Sequence, residues 1–341
     1  MMKTEYAQNG GFLQRDSVEH EEYAEAYNTE SREVDQKDGA DLLEKVLSRE
    51  NLNKADKRVK ANKGASEVDG MTVDDALPWL KEHRNELLES IRNGKSKPSP
   101  VRRVEILKDN GEMRKLGIPT VIDRIIQQAI AQVLIPIYEP KLSDGNYGYI
   151  PHRSAKDEIL KVKDYSDEEY KYAVCLDLSK YFDTLNHELL MNMHRENIKD
   201  KRLIDLIKKY LKSGVMENDI VMKTKEGSMQ GGNFLPLLAN IYLDKFDKEF
   251  EGRGVKVIRY ADDILLLAKS IRAAERLLGT STGYLEKKLK LKVNTEKRRA
   301  VSVYSIRNFG FSALRWEGTE RVHISEFTQS RRRKSRINCE N

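Results

Sequence analysis

The sequence has 341 residues, of which 39% are hydrophobic and 34% are charged, so it can form a sizeable core beneath a strongly polar surface. Its two cysteines exclude a disulfide-stabilised scaffold, and no apolar run approaches the ~18 residues that a membrane span requires. The chain is therefore expected to be a cytoplasmic protein of two structural units or one large unit, with no membrane partner.

Charge is distributed unevenly along the chain, although the formal net charge is only +6 at pH 7. Residues 1–50 contain 6 basic and 13 acidic residues, so the remainder of the chain is strongly basic. A basic body favours polyanions, and nucleic acid is the first candidate partner. A lysine-rich, solvated surface explains the same charge equally well. Residues 1–40 are polar and acidic, and they are expected to form a disordered leader.

Apolar residues at helical spacing predict a series of helices from about Asp41 onward. A run from Val101 to Ile106 and a second from Met113 to Ile118 predict a β-hairpin, because Asn110-Gly111 between them favours a tight turn. The predicted helices are two between Asp41 and Gly64, then 79–93, Val121 to Tyr138, 187–196, 200–213, 236–251 and Ile271 to Leu291.

Short apolar runs predict a second group of strands in the C-terminal half of the chain. Residues 172–177 predict a buried strand, and Val255 to Tyr260 with Ile264 to Ala268 predict a strand pair around Ala261-Asp262-Asp263. A further strand is predicted from Val301 to Ser305. Helices and strands that alternate around an antiparallel hairpin favour an α+β fold over a doubly wound parallel sheet.

Two adjacent carboxylates, Asp262 and Asp263, interrupt this apolar strand pair, and Asp177 ends the apolar run Ala173–Leu176. Like charges this close are costly unless water or a cation offsets them, although a turn rich in aspartate is also ordinary turn chemistry. Mg²⁺ is usually held by one or two carboxylates together with substrate phosphates. Two such ions ~3.5–4 Å apart can activate a hydroxyl and stabilise a leaving pyrophosphate. The three aspartates are therefore candidate ligands of two Mg²⁺ ions.

The motif Tyr260-Ala261-Asp262-Asp263, preceded by Asp177–Asp183, resembles the palm of a reverse transcriptase. The wider pattern, over roughly residues 41–325, is similar to that of the group II intron-encoded reverse transcriptase and maturase family. Each motif is weak alone, whereas their order and spacing together are highly specific. The matching stretches are Asn62–Ala65, Asp69–Thr72, Arg102–Val104, Leu116–Pro119, Asp123-Arg124, Gln127–Ala129, Tyr147–Tyr149, Gln230–Gly232, Pro236–Leu243 and Asn308–Phe311.

The resemblance implies a right-hand polymerase architecture, with an antiparallel palm sheet flanked by helices and a thumb that is largely absent. Residues 41–170 would form the N-terminal extension and the fingers. Residues 171–312 would form the palm with intervening fingers helices. Residues 313–341 would contain only the start of a truncated thumb and a basic tail.

The same resemblance implies roles at the metal site. Asp177 and Asp262 would bind both Mg²⁺ ions, Asp263 would support them, and the Leu178 backbone carbonyl would complete one coordination shell. Phe182 would sit under the sugar of the nucleotide, where its ring would collide with a 2′-hydroxyl and so favour deoxynucleotides. Without the motif, Phe182 would be an ordinary core residue at the turn after the strand.

The resemblance also implies residues that bind the incoming nucleotide. Lys108 and Arg114 flank the Asn110-Gly111 turn and would close over the triphosphate, although an exposed basic hairpin is an equal alternative. Gln230, followed by two glycines, would contact the nucleotide where the backbone must approach closely. Lys297 resembles the lysine near the pyrophosphate that acts as a general acid, and is otherwise a surface lysine.

The leading hypothesis is an RNA-directed DNA polymerase that uses Mg²⁺, deoxynucleoside triphosphates, a DNA primer and an RNA template. By the resemblance, the RNA would be a group II intron, bound partly by the basic segment Lys54–Lys63 through salt-sensitive contacts. A second hypothesis is a truncated, catalytically weak or inactive protein that binds intron RNA, because by the resemblance Leu235 replaces a small polar residue beside the template and the thumb is largely absent. A third hypothesis is a reverse transcriptase recruited to phage defence.

Overall fold

The computed structural model describes residues 41–62, 70–107, 113–217, 220–222, 226–227, 231–305, 316–317 and 321–322. The predicted leader at residues 1–40, the Asn110-Gly111 turn, Lys108 and Gln230 lie outside the described residues. Within the described residues, no helix combines the length and the apolar character that crossing a bilayer would require.

Helices and strands alternate along the described residues, which confirms the predicted α+β class. The helices are α1 (Leu42–Leu47), α2 (Arg49–Ala61), α3 (Ala76–Arg92), α4 (Val121–Tyr138), α5 (Ala155–Asp167), α6 (His187–Asn197), α7 (Lys201–Leu211), α8 (Leu235–Gly252) and α9 (Ile271–Lys287). The strands are β1 (Val101–Leu107), β2 (Met113–Ile118), β3 (Tyr172–Asp177), β4 (Val215–Glu217), β5 (Ile220–Met222), β6 (Lys256–Tyr260), β7 (Asp263–Ala268), β8 (Arg299–Ser302), β9 (Trp316–Glu317) and β10 (Arg321–Val322).

Four antiparallel strands in the order β6-β7-β3-β8 form the aspartate sheet, which we name for the acidic residues at one of its ends. Side chains alternate between the two faces of a strand, and both faces of β3 are buried. Val174 and Leu176 join the large core with residues of α8 and α9, whereas Ala173 and Cys175 join a smaller core with residues of α5. This two-sided burial explains why β3 is a continuous apolar run.

The other four-stranded sheet, which we call the hairpin sheet, has the order β2-β1-β4-β5. β1 and β2 pair antiparallel from Arg102↔Ile118 to Leu107↔Met113, which confirms the predicted hairpin strands. β4 joins β1 in parallel over two residues, and β5 forms the outer edge of the sheet. The sequence does not predict β4 or β5, because a three-residue strand leaves too short a periodic pattern.

Helix α4 lies in the large core and packs against α1, α2 and α8. It begins at Thr120, whose hydroxyl accepts a hydrogen bond from the Asp123 backbone N–H. Asn51 ties α2 to α4, because its side-chain amide donates to the Ala129 carbonyl at 3.0 Å. These contacts join the N-terminal helices to the same core that supports the aspartate sheet.

The segment after the aspartate hairpin differs from its predicted limits. α9 ends at Lys287 rather than at Leu291, because the chain turns there and Lys290 has a left-handed φ of 58°. The strand predicted from Val301 to Ser305 is β8, Arg299–Ser302, followed by a 3₁₀ turn. Residues 288–291, which the sequence predicts to be helical, instead lead the chain back towards the acidic end of the sheet.

Candidate active site

The three aspartates meet at one end of the aspartate sheet. β6 and β7 form a hairpin that pairs Tyr260 with Asp263, and Ala261 and Asp262 form its turn. β7 also pairs with β3, where Asp177 lies directly opposite Asp263. The end of β3 and the hairpin turn are thus neighbours.

Backbone hydrogen bonds define which way the end of β3 faces. The Asn294 N–H donates to the Asp177 carbonyl at 2.8 Å, and the Ser179 N–H donates to the Lys292 carbonyl at 2.8 Å. Asp177 therefore directs its carbonyl away from β7, which makes Asp177 and Asp263 a non-hydrogen-bonded pair with Cα atoms about 4.5 Å apart. The side chains of such a pair lie close together, so the two carboxylates share one face of the sheet.

The Leu178 carbonyl faces the same side of β3 as the hairpin turn. Leu178 forms an isolated antiparallel bridge with Val293 through hydrogen bonds of the flanking residues. Because successive carbonyls of a strand point to opposite edges, the Leu178 carbonyl points to the β7 side, where Asp262 and Asp263 lie. Its side chain is buried in the large core. The backbone is therefore oriented as a carbonyl ligand near these acids requires.

Two polar side chains contact the Asp177 carboxylate. The Asn294 Nδ2 donates to Asp177 Oδ2 at 3.0 Å, and the Lys297 Nζ lies 3.1 Å from the same oxygen. The Lys297 side chain is 55% exposed and the Asp177 side chain is 11% exposed, so the ammonium reaches the acid from the solvent side. An ion pair this exposed adds little stability. The ion pair instead places the Lys297 ammonium on the solvent side of the site.

The aspartates offer the type of oxygen ligand that Mg²⁺ prefers. In the part of the chain that the structure describes, no three His, Cys, Asp or Glu side chains are close enough to hold a metal ion by themselves. Mg²⁺ commonly binds one or two carboxylates and completes its coordination with water and substrate phosphates. Asp177 and Asp263 on one face, with Asp262 at the adjoining turn, fit that partial ligand set.

Phe182 lies on a 3₁₀ turn, Tyr181–Thr184, that follows Asp177 in the chain. The residue is 8% exposed, and its ring packs at an angle against Tyr181, with ring centroids 5.3 Å apart. The Tyr181 hydroxyl anchors the turn by donating to the Ala239 carbonyl at 2.7 Å. Phe182 thus combines a core position with a small exposed part, and its contact with a sugar stays a prediction.

Two glycines before α8 lie where the backbone approaches its neighbours closely. A Cβ at Gly231 would lie 2.3 Å from the Gly117 carbonyl oxygen, and a Cβ at Gly232 would lie 2.5 Å from Gln127 Oε1. Leu235, at the start of α8, is buried and packs against Gly232. The glycines therefore fit tightly against β2 and α4, and Leu235 is a core residue of the first helical turn.

The predicted nucleotide-binding residues of the hairpin and the glycine segment are described only in part. Lys108 and Gln230 lie outside the described residues. Arg114 lies in β2, paired with Ile106, and the description covers its backbone alone. Contact between these three residues and a nucleotide therefore stays a prediction.

Sequence reasoning assigns no role to Asn294 or Arg259, yet both hold the acidic end of the sheet. Asn294 bonds Asp177 through its backbone and through its side chain. Arg259 is fully buried in β6 and donates to the Ala261 carbonyl at 3.1 Å. A charged residue inside the apolar run Val257–Tyr260 is a signal that could identify Arg259, since a buried charge needs partners. Asn294 has no such signal, because its partner is 117 positions away.

Comparison with known protein families identifies the class of protein. Residues 106–317 match the family described as reverse transcriptase (RNA-dependent DNA polymerase). Protein YkfC of Escherichia coli (strain K12) is 32% identical over 313 residues, which cover 80% of this chain and 81% of YkfC. The chain therefore belongs to the reverse transcriptase family.

Its relatives include group II intron-encoded proteins. The group II intron-encoded protein LtrA of Lactococcus lactis subsp. cremoris is 39% identical over 192 residues, which cover 55% of this chain. The putative COX1/OXI3 intron 2 protein of Saccharomyces cerevisiae is 34% identical over 200 residues, which cover 58% of this chain. The matches span 31% and 22% of those two proteins.

Among solved structures, apo telomerase from Candida tropicalis truncated from its C-terminal domain gives a TM-score of 0.48 at 13% identity, over 64% of this chain and 55% of that chain.

Proposed function

We propose that this chain is an RNA-directed DNA polymerase that adds deoxynucleotides to a primer 3′-hydroxyl along an RNA template. The observation that carries the proposal is the register of β3 and β7, which sets Asp177 opposite Asp263 beside the turn that holds Asp262. Membership of the reverse transcriptase family supports the same reaction. Acids placed this way suit nucleotidyl transfer, because the attacking and the leaving oxygen both need a nearby cation.

The chain's own contribution to the reaction would be to hold and orient the reacting groups. Asp177, Asp262 and Asp263 would bind two Mg²⁺ ions jointly with the triphosphate, and the Leu178 carbonyl would add a further oxygen. When bound, the ions would lower the pKa of the primer hydroxyl and offset the charge that develops on the pyrophosphate. The side-chain amide of Asn294, 3.0 Å from Asp177 Oδ2, would keep that carboxylate in its orientation.

The remaining predicted residues would bind the nucleotide. Lys297, whose Nζ lies 3.1 Å from Asp177 Oδ2, would exchange this partner for the triphosphate and donate a proton towards the leaving pyrophosphate. Phe182 would contact the sugar through its ring. The triphosphate and base contacts would come from Lys108, Arg114 and Gln230.

The RNA partner would be a group II intron, in line with the relatives that are named for such introns. Helix α2 presents Lys54, Lys57 and Lys60 on its exposed side. Lys60 pairs with Asp74 at 2.6 Å, an interaction for which an RNA phosphate would compete. Contacts between this helix and phosphates would be electrostatic and would weaken steeply as the salt concentration rises.

Primer extension tests the polymerase proposal. The protein is mixed with an RNA template, a DNA primer, Mg²⁺ and deoxynucleotides, beside the double variant Asp262→Ala/Asp263→Ala. Glu275→Ala, which removes an exposed carboxylate from α9, is the matched control. We expect extension by the wild type and by the control, and none by the double variant. Extension by the double variant would remove these two aspartates from the reaction.

A second candidate function is RNA binding without polymerase activity. Asn294 and Lys297 both engage Asp177 Oδ2, which favours an acid with protein partners over an acid reserved for a metal. Fluorescence anisotropy with a labelled intron RNA, measured at low and high salt, separates the two functions. Salt-sensitive binding by a wild-type protein that extends no primer would support this candidate, whereas extension would exclude it.

A further inference from the structure

Arg259 lies in the apolar strand β6 with 1% of its side-chain surface exposed, as one of the largest fully buried side chains in the described part of the chain. A buried guanidinium requires partners for its charge and for its five N–H donors. Its partners are Asp247 and Asn240 on helix α8, and Ala261 in the hairpin turn. Arg259 therefore links the helix that covers the sheet to the turn that contains Asp262.

The contacts with α8 match the planar shape of the guanidinium. Arg259 Nε donates to Asp247 Oδ2 at 2.8 Å, and Nη1 donates to Asn240 Oδ1 at 3.0 Å. Nη2 lies 2.7 Å from Asp247 Oδ2 without the alignment of a hydrogen bond, so this contact is an ion pair. Because Asn240 and Asp247 are about two helical turns apart, both face the same strand. Asp247 is itself fully buried, so neither charge of the pair reaches solvent.

The third contact reaches the turn itself. Arg259 Nη1 donates to the Ala261 carbonyl at 3.1 Å, and Ala261 has a φ of 56°. A residue with a side chain is strained in this left-handed region and persists there only when its surroundings hold it. Ala261 immediately precedes Asp262, so its backbone conformation sets the direction of Asp262 and Asp263.

A neighbouring loop holds the turn from the other side. Asn240 Nδ2 donates to the Gly148 carbonyl at 2.8 Å. A Cβ at Gly148 would lie 2.3 Å from the Ala261 nitrogen, so the loop packs directly on the turn. The loop is also tied to β6, because the Tyr147 N–H donates to the Arg259 carbonyl at 2.8 Å. One buried network therefore joins the strand, the helix, the loop and the turn.

We propose that Arg259, Asp247 and Asn240 form a buried brace that positions Asp262 and Asp263 by fixing the turn at Ala261. The three members of the brace are positioning residues, because they act through the turn and not on the substrate. This role rests on the proposed polymerase function. An apolar side chain at position 259 would fill the core but would leave the turn carbonyl and the α8 groups without their donor.

Arg259→Lys is the variant that tests the brace, because lysine keeps the charge but loses the planar fork of donors that serves three partners. Arg253→Lys, at an exposed ion pair with Glu249 on α8, is the matched control. We expect kcat of primer extension to fall by roughly tenfold or more, because small misplacements of reacting groups are costly. The Mg²⁺ concentration for half-maximal activity should rise, while KM for the template–primer duplex stays unchanged.

Hydrogen exchange measured by mass spectrometry gives a readout that does not depend on activity. In Arg259→Lys we expect faster exchange in peptides that cover residues 145–148 and 256–268, with the hairpin sheet exchanging as in the wild type. If hydrogen exchange and kinetics in Arg259→Lys equal those of the wild type, the proposed positioning role of the brace is wrong.

Two further outcomes keep the test decisive. If Arg259→Lys does not fold, Asn240→Ser removes one arm of the brace, and wild-type exchange and kinetics in that variant would overturn the proposal. A folded wild type without primer extension would reject the polymerase function, and the exchange result in Arg259→Lys would then decide the brace separately.

Discussion

The aspartate sheet and the hairpin sheet differ most in how much of their surface is buried. Every residue of β7 in the aspartate sheet is buried, and helices cover both faces of that sheet. In the hairpin sheet, β5 is exposed along its length, with Ile220, Val221 and Met222 at 67%, 49% and 42% exposure. Burial of apolar surface is the main stabilising contribution to a fold. We therefore expect the hairpin sheet to open at a lower free energy than the aspartate sheet.

The difference separates two kinds of predicted site residue. Asp177, Asp262 and Asp263 lie on the sheet that is buried on both faces, where packing holds a site in place before a ligand binds. Arg114 lies on the hairpin sheet, whose outer strand β5 is exposed. If the proposed function holds, packing would preorganise the acids, and the less buried hairpin sheet would be the part that adjusts to the nucleotide, as closing elements do in many enzymes.

The largest expected effect is the loss of catalysis when an acid of the aspartate sheet is neutralised. Asp177→Asn keeps the size of the side chain but removes its charge. The rate of single-nucleotide incorporation should fall by on the order of 10³-fold or more, since a metal ion stabilises the charge of the transition state by several kcal/mol. Asp205→Asn, at an exposed acid on α7, should leave the rate unchanged. A rate for Asp177→Asn close to that of the wild type would contradict the proposed site.

Truncation of one apolar side chain in each sheet measures their difference in packing. Leu266→Ala removes a side chain with 0% exposure that lies opposite Val174. Such a change costs about 2–5 kcal/mol. Ile220→Ala alters a side chain that is 67% exposed, so its cost should stay within about 0.5 kcal/mol. Urea unfolding gives both free energies, and equal costs would show that the two sheets are packed alike.

Acid is expected to destabilise the fold through a buried histidine that lies on a helix and not on either sheet. His194 on α6 is buried beside the Tyr138 hydroxyl, and burial lowers the pKa of His194 from 6.5 to about 4. Because the unfolded chain binds this proton at a higher pH than the folded chain, stability present above pH 6.5 is lost as the pH falls towards 4.

The loss should reach on the order of 3 kcal/mol. Urea midpoints between neutral pH and acid measure it, with His194→Gln as the comparison. The pH dependence should be shallower in His194→Gln, and an equally steep dependence would assign the acid sensitivity to other groups.

The smallest expected effect concerns sugar selectivity beside the aspartate sheet. Phe182→Ala removes the ring predicted to exclude a 2′-hydroxyl, so the preference for deoxynucleotides should fall by about tenfold, or roughly 1.4 kcal/mol. Tyr181→Phe is the control, because it releases the anchor of the same turn but keeps both rings. The ratio of kcat/KM for a deoxynucleotide and the matching ribonucleotide measures the effect. An unchanged ratio would remove Phe182 from the nucleotide site.

The strands that carry the acids can be predicted from sequence, whereas the contacts that hold the acids cannot. β3, β6 and β7 are predictable because burial on both faces gives each strand an apolar run. Asp177 is the last residue of β3, and Asp263 is the first residue of β7. The hydrogen bond between Asn294 and Asp177 joins residues 117 positions apart and depends on the final register of the strands. No local pattern in the sequence reports such a contact.

Short elements and ambiguous periodicities limit prediction elsewhere in the chain. Helix α5 is missed although Ser154 and Asp157 form a capping box at its start, a local signal that the apolar pattern alone does not include. Leu289 and Leu291 fit a helical continuation and an alternating segment equally well, so the end of α9 at Lys287 depends on tertiary contacts. β4 exists because it pairs with β1, a strand that is distant in the sequence.

The packing of Gly148 on Ala261 has a consequence for chimaeras made with related proteins. A Cβ at position 148 would lie 2.3 Å from a backbone nitrogen, which cannot yield as a flexible side chain can. A chimaera that imports a hairpin turn of another shape must therefore import the loop that touches it as well. These two segments, although distant in the chain, are exchangeable only as one module.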